Sequence, residues 1–288
     1  MLLKILQDSR TIYTIMIIVI IVPFMVKIEQ TIPVPPMVRE VYNYVEKSSE
    51  EHKPVIISFD FDASVQGECK PMAVALLRHA FATRTPVIGF TFLPTAPNLA
   101  LGIIEKIVKE FNDNKEFREK CPEGIEYGRD YIWLGYAPQY DQVLIAMGHD
   151  IKGTWGTDVY GTRLEDITFM KRVKDFDDIG LVVTIAGSAM PEEWIAYTLA
   201  YKPKLAVGTT AVSATAYLPY MQAGQIVGFI PGQTGAAAYE RLVVDNKHWE
   251  TYGDAYMMAP SQSATHIVII LFIVIGNIVY FVRKSQKQ

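Results

Sequence analysis

The sequence has little cysteine, with two residues among 288, and it contains no G-x-G-x-x-G, no P-loop with its lysine and no G-x-S-x-G elbow. Two cysteines, Cys69 and Cys121, exclude a disulfide-stapled miniprotein and any zinc site built on four thiolates. The missing glycine motifs leave no nucleotide signature and no hydrolase elbow. The histidines are scattered, without metal-ligand spacing. Positive charge is scarce where it would matter for nucleic acid. Residues 1–27 and 263–288 hold six of the 27 basic residues but one of the 31 acidic ones. The stretch 28–262 therefore carries 21 basic and 30 acidic residues, a net charge of −9. Such a body repels phosphate backbones, so no nucleic-acid partner is expected.

Apolar sequence, by contrast, is plentiful and concentrated at both ends. TIYTIMIIVIIVPFMV (Thr11 to Val26) and ATHIVIILFIVIGNIVYFV (Ala264 to Val282) contain no formal charge. About 20 apolar residues cross the hydrocarbon core, with roughly 17 as the lower limit. The second stretch meets that length; the first is marginal, and Pro23 is expected to kink or end its last turn. The residues that follow it, VKIEQTIPVPP, offer no small-residue cleavage site, which favours an uncleaved signal anchor over a removed signal peptide. Lys4 and Arg10 flank one span, and Arg283, Lys284 and Lys287 flank the other. Positive flanks stay in the cytoplasm, so both termini are expected inside and the body outside a cell membrane. The lipid bilayer is then the first partner, and Gly276 and Asn277 can support helix contacts within it.

Between the spans the pattern repeats. Thr31–Pro36 reads as a stiff polyproline stalk, and a stretch with helical spacing follows over 37–53. Short apolar runs at 54–62, 86–92, 130–136, 178–186, 204–210 and 225–230 read as buried strands. Amphipathic stretches at 71–84, 98–114, 139–148, 188–202, 216–224 and 234–244 read as helices, with Pro71, Asn98 and Ser188 at their starts. Strands alternating with helices imply one doubly wound, mostly parallel, Rossmann-like α/β domain with helices on both faces. Residues 115–130 look like a surface excursion. The expected organisation is a tail and anchor over 1–27, the α/β body over 28–262, and a helix with a basic tail over 263–288.

The stretches SFDFDAS, PMAVALLRHA, LGYAPQYDQVLIAMG, TDVYGT, DDIGLVVTIA and TAVSATAYLPYMQAGQIVGFIPGQTGAAAYERLV carry a resemblance. They resemble an uncharacterised family of membrane-anchored Rossmann-like proteins of bacteria and archaea. The resemblance implies two terminal spans around an α/β domain. It implies no activity, and no catalytic residue comes with it.

Ligands of open parallel sheets bind beyond the carboxyl ends of the strands. Asp60 and Asp62 there can hold a hard cation such as Mg²⁺, or serve phosphoryl transfer; the plainer role is a loop cap and a paired carboxylate. Ser188, following Gly187, is a helix cap or a nucleophile, with His149 and Asp158 as its potential partners. Gly208, Thr209, Thr210 and Ser213, with Gly232, Gln233 and Gly235, put small residues at helix starts whose amides can cradle an anion, or else serve tight packing. Trp155, Asp158 and Tyr160 belong to a glycine-rich aromatic loop that either closes over a cleft or packs on its own domain. Tyr217, Tyr220 and Met221 are core or interaction face. Cys69, beside Glu68 and with Lys70 as its one positive neighbour, lacks the surroundings of a reactive thiolate, and two cysteines alone settle no pairing.

These observations point to a membrane-anchored extracytoplasmic binding or scaffold module, forming a homo-oligomer or joining other membrane proteins. The alternatives are a metal-dependent hydrolase or transferase using Asp60 and Asp62, and a structural subunit of a membrane assembly.

Overall fold

A computed structural model describes residues 8–26 and 31–285; the flanking charges Lys4, Lys27 and Lys287 lie outside them. The six apolar runs form β1 (Val55–Asp60), β2 (Val87–Thr91), β3 (Tyr131–Tyr136), β4 (Leu181–Ala186), β5 (Leu205–Thr209) and β6 (Gly228–Pro231). Every pairing is parallel, in the order β3-β2-β1-β4-β5-β6. That order reverses direction between β1 and β4, the arrangement of doubly wound sheets. Every residue of β1, β2, β4 and β5 is buried. A sheet covered on both faces needs such unbroken apolar strands.

One face is covered by α2 (Pro36–Glu50), α3 (Gln66–Ala82), α4 (Pro97–Asp113) and α10 (Gly232–Asp245). The other carries α6 (Tyr140–Met147), α7 (Ile151–Trp155) and α8 (Met190–Thr198). Two short helices remain, α5 (Lys115–Lys120) in the surface excursion and α9 (Leu218–Gln222). Alternation along β1 divides its side chains, with Ile57, Phe59 and Phe61 in the first core and Ile56 in the second. Trp194 anchors the second core, fully buried against Phe90, Phe92 and Phe176.

Three helix starts differ from expectation. α3 begins at Gln66, so Pro71 lies inside it rather than opening it. The turn is made instead by Val65, whose carbonyl accepts the amides of Glu68 and Cys69. α4 begins at Pro97, the favoured position for a ring that needs no amide partner, so Asn98 is not its cap. α8 begins at Met190 with Ala189 at the cap position, which removes Ser188 from capping. This last helix is also shorter than expected, ending at Thr198, and the turn after it closes with Lys202 left-handed (φ 49°).

α2, α3 and α10 all end near the amino-terminal edge of the sheet in the same device. In each, a non-glycine residue adopts the left-handed conformation: His52, Arg84 and Lys247. The next amide reaches back five residues, from Lys53 to Ser48, Thr85 to Ala80 and His248 to Val243. These are Schellman motifs, which satisfy the last carbonyls of each helix.

The terminal apolar segments are α1 (Ser9–Val26) and α11 (Asp254–Ser285). Among the described residues one helix is long and apolar enough to cross a membrane, over Asp254–Phe281 at a mean hydropathy of 2.3. The apolar part of α1, Ser9–Pro23, is shorter. Its helix continues past Pro23 to Val26. The two helices pack together, and Ser261 Oγ donates to the Ile20 carbonyl at 3.0 Å.

α11 is also built into the body. Ala255 and Ala259 are buried in the first core. Glu240, buried on α10, accepts the amide of Tyr256 at 2.8 Å and that of Ala255 at 3.4 Å. Its carboxylate thus takes up amides that the start of a helix leaves without partners. Burial raises the Glu240 carboxyl to about 7. Gly253 permits this approach, because a Cβ there would stand 2.3 Å from Glu240 Oε1.

Candidate functional site

The carboxyl ends of the strands gather many of the expected residues. Asp60 ends β1 at the point where the sheet reverses, and it is 3% exposed. It accepts the Phe92 amide at 2.7 Å and the Ser58 hydroxyl at 2.6 Å, with the hydroxyls of Thr184 (3.3 Å) and Thr91 (3.4 Å) further off. The carboxylate therefore knots β1 to β2 and β4. Burial raises its carboxyl to about 6, and the four donors oppose that rise. Asp62 does separate work. It is half-exposed, and its Oδ1 accepts the Ser64 amide and hydroxyl, which lower its pKa.

Gly187 follows β4 where a Cβ would meet Val65 at 2.8 Å, so it serves close packing across the reversal. Ser188 is exposed. It gains no triad: His149 is bonded to the Tyr201 hydroxyl at 2.9 Å, and Asp158 is occupied elsewhere. Gly208 packs against Ile185 and Met72, and Thr209 is buried at the end of β5. Thr210 donates its hydroxyl to Ser213 at 3.3 Å.

Gly232, Gln233 and Gly235 form the first turn of α10, with Gly232 left-handed at φ 53°. Glu68, whose role no local sequence pattern marks, reaches this turn. From the first turn of α3, its Oε2 accepts the Ala211 amide at 2.7 Å, and a Cβ on Gly232 would stand 2.6 Å from the same oxygen. The Glu68 carboxylate thus bonds to one amide after β5 and packs beside Gly232.

The aromatic loop is tied down. Asp158 is buried and accepts the amides of Tyr160 (2.9 Å) and Thr162 (2.8 Å) and the Tyr127 hydroxyl (2.8 Å). Trp155 packs against Phe90 at 5.0 Å, while Tyr160 stays exposed, edge-on to Tyr127. Tyr136 and Val159 are exposed as well, and so, four strands across the sheet beyond β5, is Val212. Tyr217 is core, and its hydroxyl donates to Glu192. Cys69 is buried, with a thiol pushed up to about 12 by burial, and Cys121 is half-exposed; both are free.

A second cluster lies towards the other end of the sheet, where the histidines proved not to be scattered. Glu46 of α2, His79 of α3 and His248 after α10 bring their ligand atoms within 4.8 Å of one another. His79 Nε2 is 2.9 Å from Glu46 Oε1, and His248 Nε2 is 2.6 Å from the same oxygen. His79 is completely buried, with Tyr42 stacked on its ring at 4.3 Å and its Nδ1 2.8 Å from the Tyr239 hydroxyl. The Schellman motif after α10 turns His248 back onto this group.

Burial lowers the His79 pKa to about 4, so the ring is neutral at pH 7. Its Nε2–H then donates to Glu46 while its Nδ1 accepts from Tyr239. That donation is the main reason the Glu46 carboxyl falls to about 2. His248 also lines a cleft of about 410 Å³, together with Lys247, Trp249, Asn114, Phe117 and Lys120. No linear spacing announces this site. The one signal in sequence is a histidine, His79, inside a helix whose neighbours Ala75, Leu76 and Ala80 are apolar.

No family model, curated protein or solved structure matches the chain.

Proposed function

We propose that the chain is a two-pass membrane protein that holds its acidic α/β body outside the cytoplasm as a binding or scaffold module. It groups on this reading with membrane-anchored Rossmann-like proteins. The observation that carries the proposal is the junction at Glu240. An apolar helix long enough to span a bilayer starts inside the body, with its first amides held by a buried carboxylate. A core helix of a soluble protein would be covered along its length, whereas the apolar window of α11 is 6% buried. The packing of α1 on α11 supports a second crossing beside the first. Arg10 and Lys284 at the far ends favour both termini in the cytoplasm.

The exposed Tyr136, Val159, Tyr160 and Val212 beyond the strand ends support a partner-binding role. We infer a second copy of the chain or another membrane protein as that partner. Alkaline extraction and light scattering on detergent-solubilised full-length protein test both halves. The reading expects the protein to stay with the membrane pellet, and particles larger than one chain that dissociate in Val212→Asp. Release into the alkaline supernatant would overturn the anchor, and a strict monomer would overturn the self-association.

A further inference from the structure

We propose that Glu46, His79 and His248 form a binding site for one divalent transition-metal ion of the zinc class. Two imidazoles and one carboxylate are a donor set that zinc and its first-row neighbours accept and that Mg²⁺ and Ca²⁺ do not favour. The three donors converge from three elements far apart in sequence, and all of their ligand atoms already lie within 4.8 Å. Tetrahedral zinc with ligands at about 2.1 Å sets its donors about 3.4 Å apart. The Glu46–His79 and Glu46–His248 separations of 2.9 and 2.6 Å have to open by about 0.5 and about 0.8 Å to reach it.

The surroundings fit the same ion. A metal-bound histidine usually gives its other nitrogen to a second group that holds the ring in place. His79 has such a group in Tyr239, whose hydroxyl can reverse from donating to Nδ1 to accepting from it. That reversal frees Nε2 as a lone-pair ligand with no proton lost from the ring. Tyr42 covers the other side of His79, which keeps the site dry there. His248, by contrast, borders the open cleft, so an ion has a way in and a fourth position for water or a small ligand.

This inference is independent of the membrane topology. Its test is titration of chelator-stripped, detergent-solubilised full-length chain with Zn²⁺ against a chromophoric chelator, and with Co²⁺ by visible absorption. One Zn²⁺ per chain is expected, with Co²⁺ giving the strong absorption of a four- or five-coordinate ion and millimolar Mg²⁺ failing to compete. Losing an outer partner costs about 10–100-fold in affinity, so Tyr239→Phe should weaken binding by roughly 10-fold and His248→Ala by about 100-fold or more. His149→Ala should change nothing. His248 is half-exposed, so its variant is expected to fold, which unfolding of both proteins without metal would check. Equal Zn²⁺ affinity in wild type and His248→Ala, or no saturable binding, would overturn the proposal.

Discussion

Asp60 and Glu46 lie towards opposite ends of one sheet and shift in opposite directions, to about 6 and about 2. Asp60 has more donors, but three are hydroxyls and one an amide, all neutral. Removal from water wins there, and the neutral acid is favoured. Glu46 keeps about a third of its side chain in contact with solvent and has two imidazoles on one oxygen. Hydrogen bonding wins there, and the charge stays. The number of donors thus decides less than the degree of burial. Asp60 behaves as a knot between strands, whereas Glu46 is a charged group ready to bind something.

The largest expected break in this comparison is His79→Ala. It opens a hole beside Tyr42 and Tyr239 and strips Glu46 of a donor. We expect a loss of roughly 3–5 kcal/mol, measured by denaturant unfolding in detergent. A cost below about 1 kcal/mol would mean that the ring is not packed as described.

The pH dependence of Asp60 comes next. Its folded pKa is raised, so between about pH 6 and pH 4 the folded chain binds a proton that the unfolded chain does not. Stability from this group therefore increases as pH falls through that window, by up to about 3 kcal/mol. Subtracting the unfolding profile of Asp60→Asn isolates it, and a difference independent of pH would contradict the account.

Glu240→Ala is expected to cost about 1–2 kcal/mol by leaving the Tyr256 and Ala255 amides without their acceptor. Glu240→Gln should cost less, because an amide oxygen still accepts. Equal losses in thermal unfolding would rule out the capping role.

The smallest effect belongs to Glu46, whose depressed pKa contributes stability above about pH 4.5 that is lost as pH falls towards 2. Solvent screening limits it to about 1 kcal/mol. Glu46→Gln should flatten the acid limb of the unfolding curve in that range and leave the region above pH 5 unchanged in slope.

Much of the fold was legible because a parallel sheet buried on both faces writes its strands as continuous apolar runs. VIISFD and LVVTIA carry that pattern without interruption. Helix starts were less legible, since Pro71 and Ser188 are residues that often begin helices and here do not. The decisive contacts were those made by Val65 and Ala189, which have no capping side chain. At the strand ends, Gly232 and Gly235 lie in the first turn of α10, whereas Gly208 and Thr209 lie within β5 rather than at a helix start; Glu68 carries no local signal of its role, because its reach to Ala211 spans 143 residues. The Glu46–His79–His248 group was illegible for the same reason: two members come from helices and the third from the turn after a helix, and only the tertiary packing of α2, α3 and α10 unites them.

The two terminal helices form a comparison of their own. α11 is long, apolar and capped by the body, while α1 is shorter and leans on α11. The central claim is that this pair crosses a bilayer and leaves the body outside. Labelling intact cells with a membrane-impermeant maleimide tests it, because Cys121 is half-exposed and Cys69 is buried. The account predicts that Cys121 reacts in intact cells, while a cysteine placed at Gln288 reacts only after the cells are opened. Protection of Cys121 together with labelling of Gln288→Cys in intact cells would contradict it.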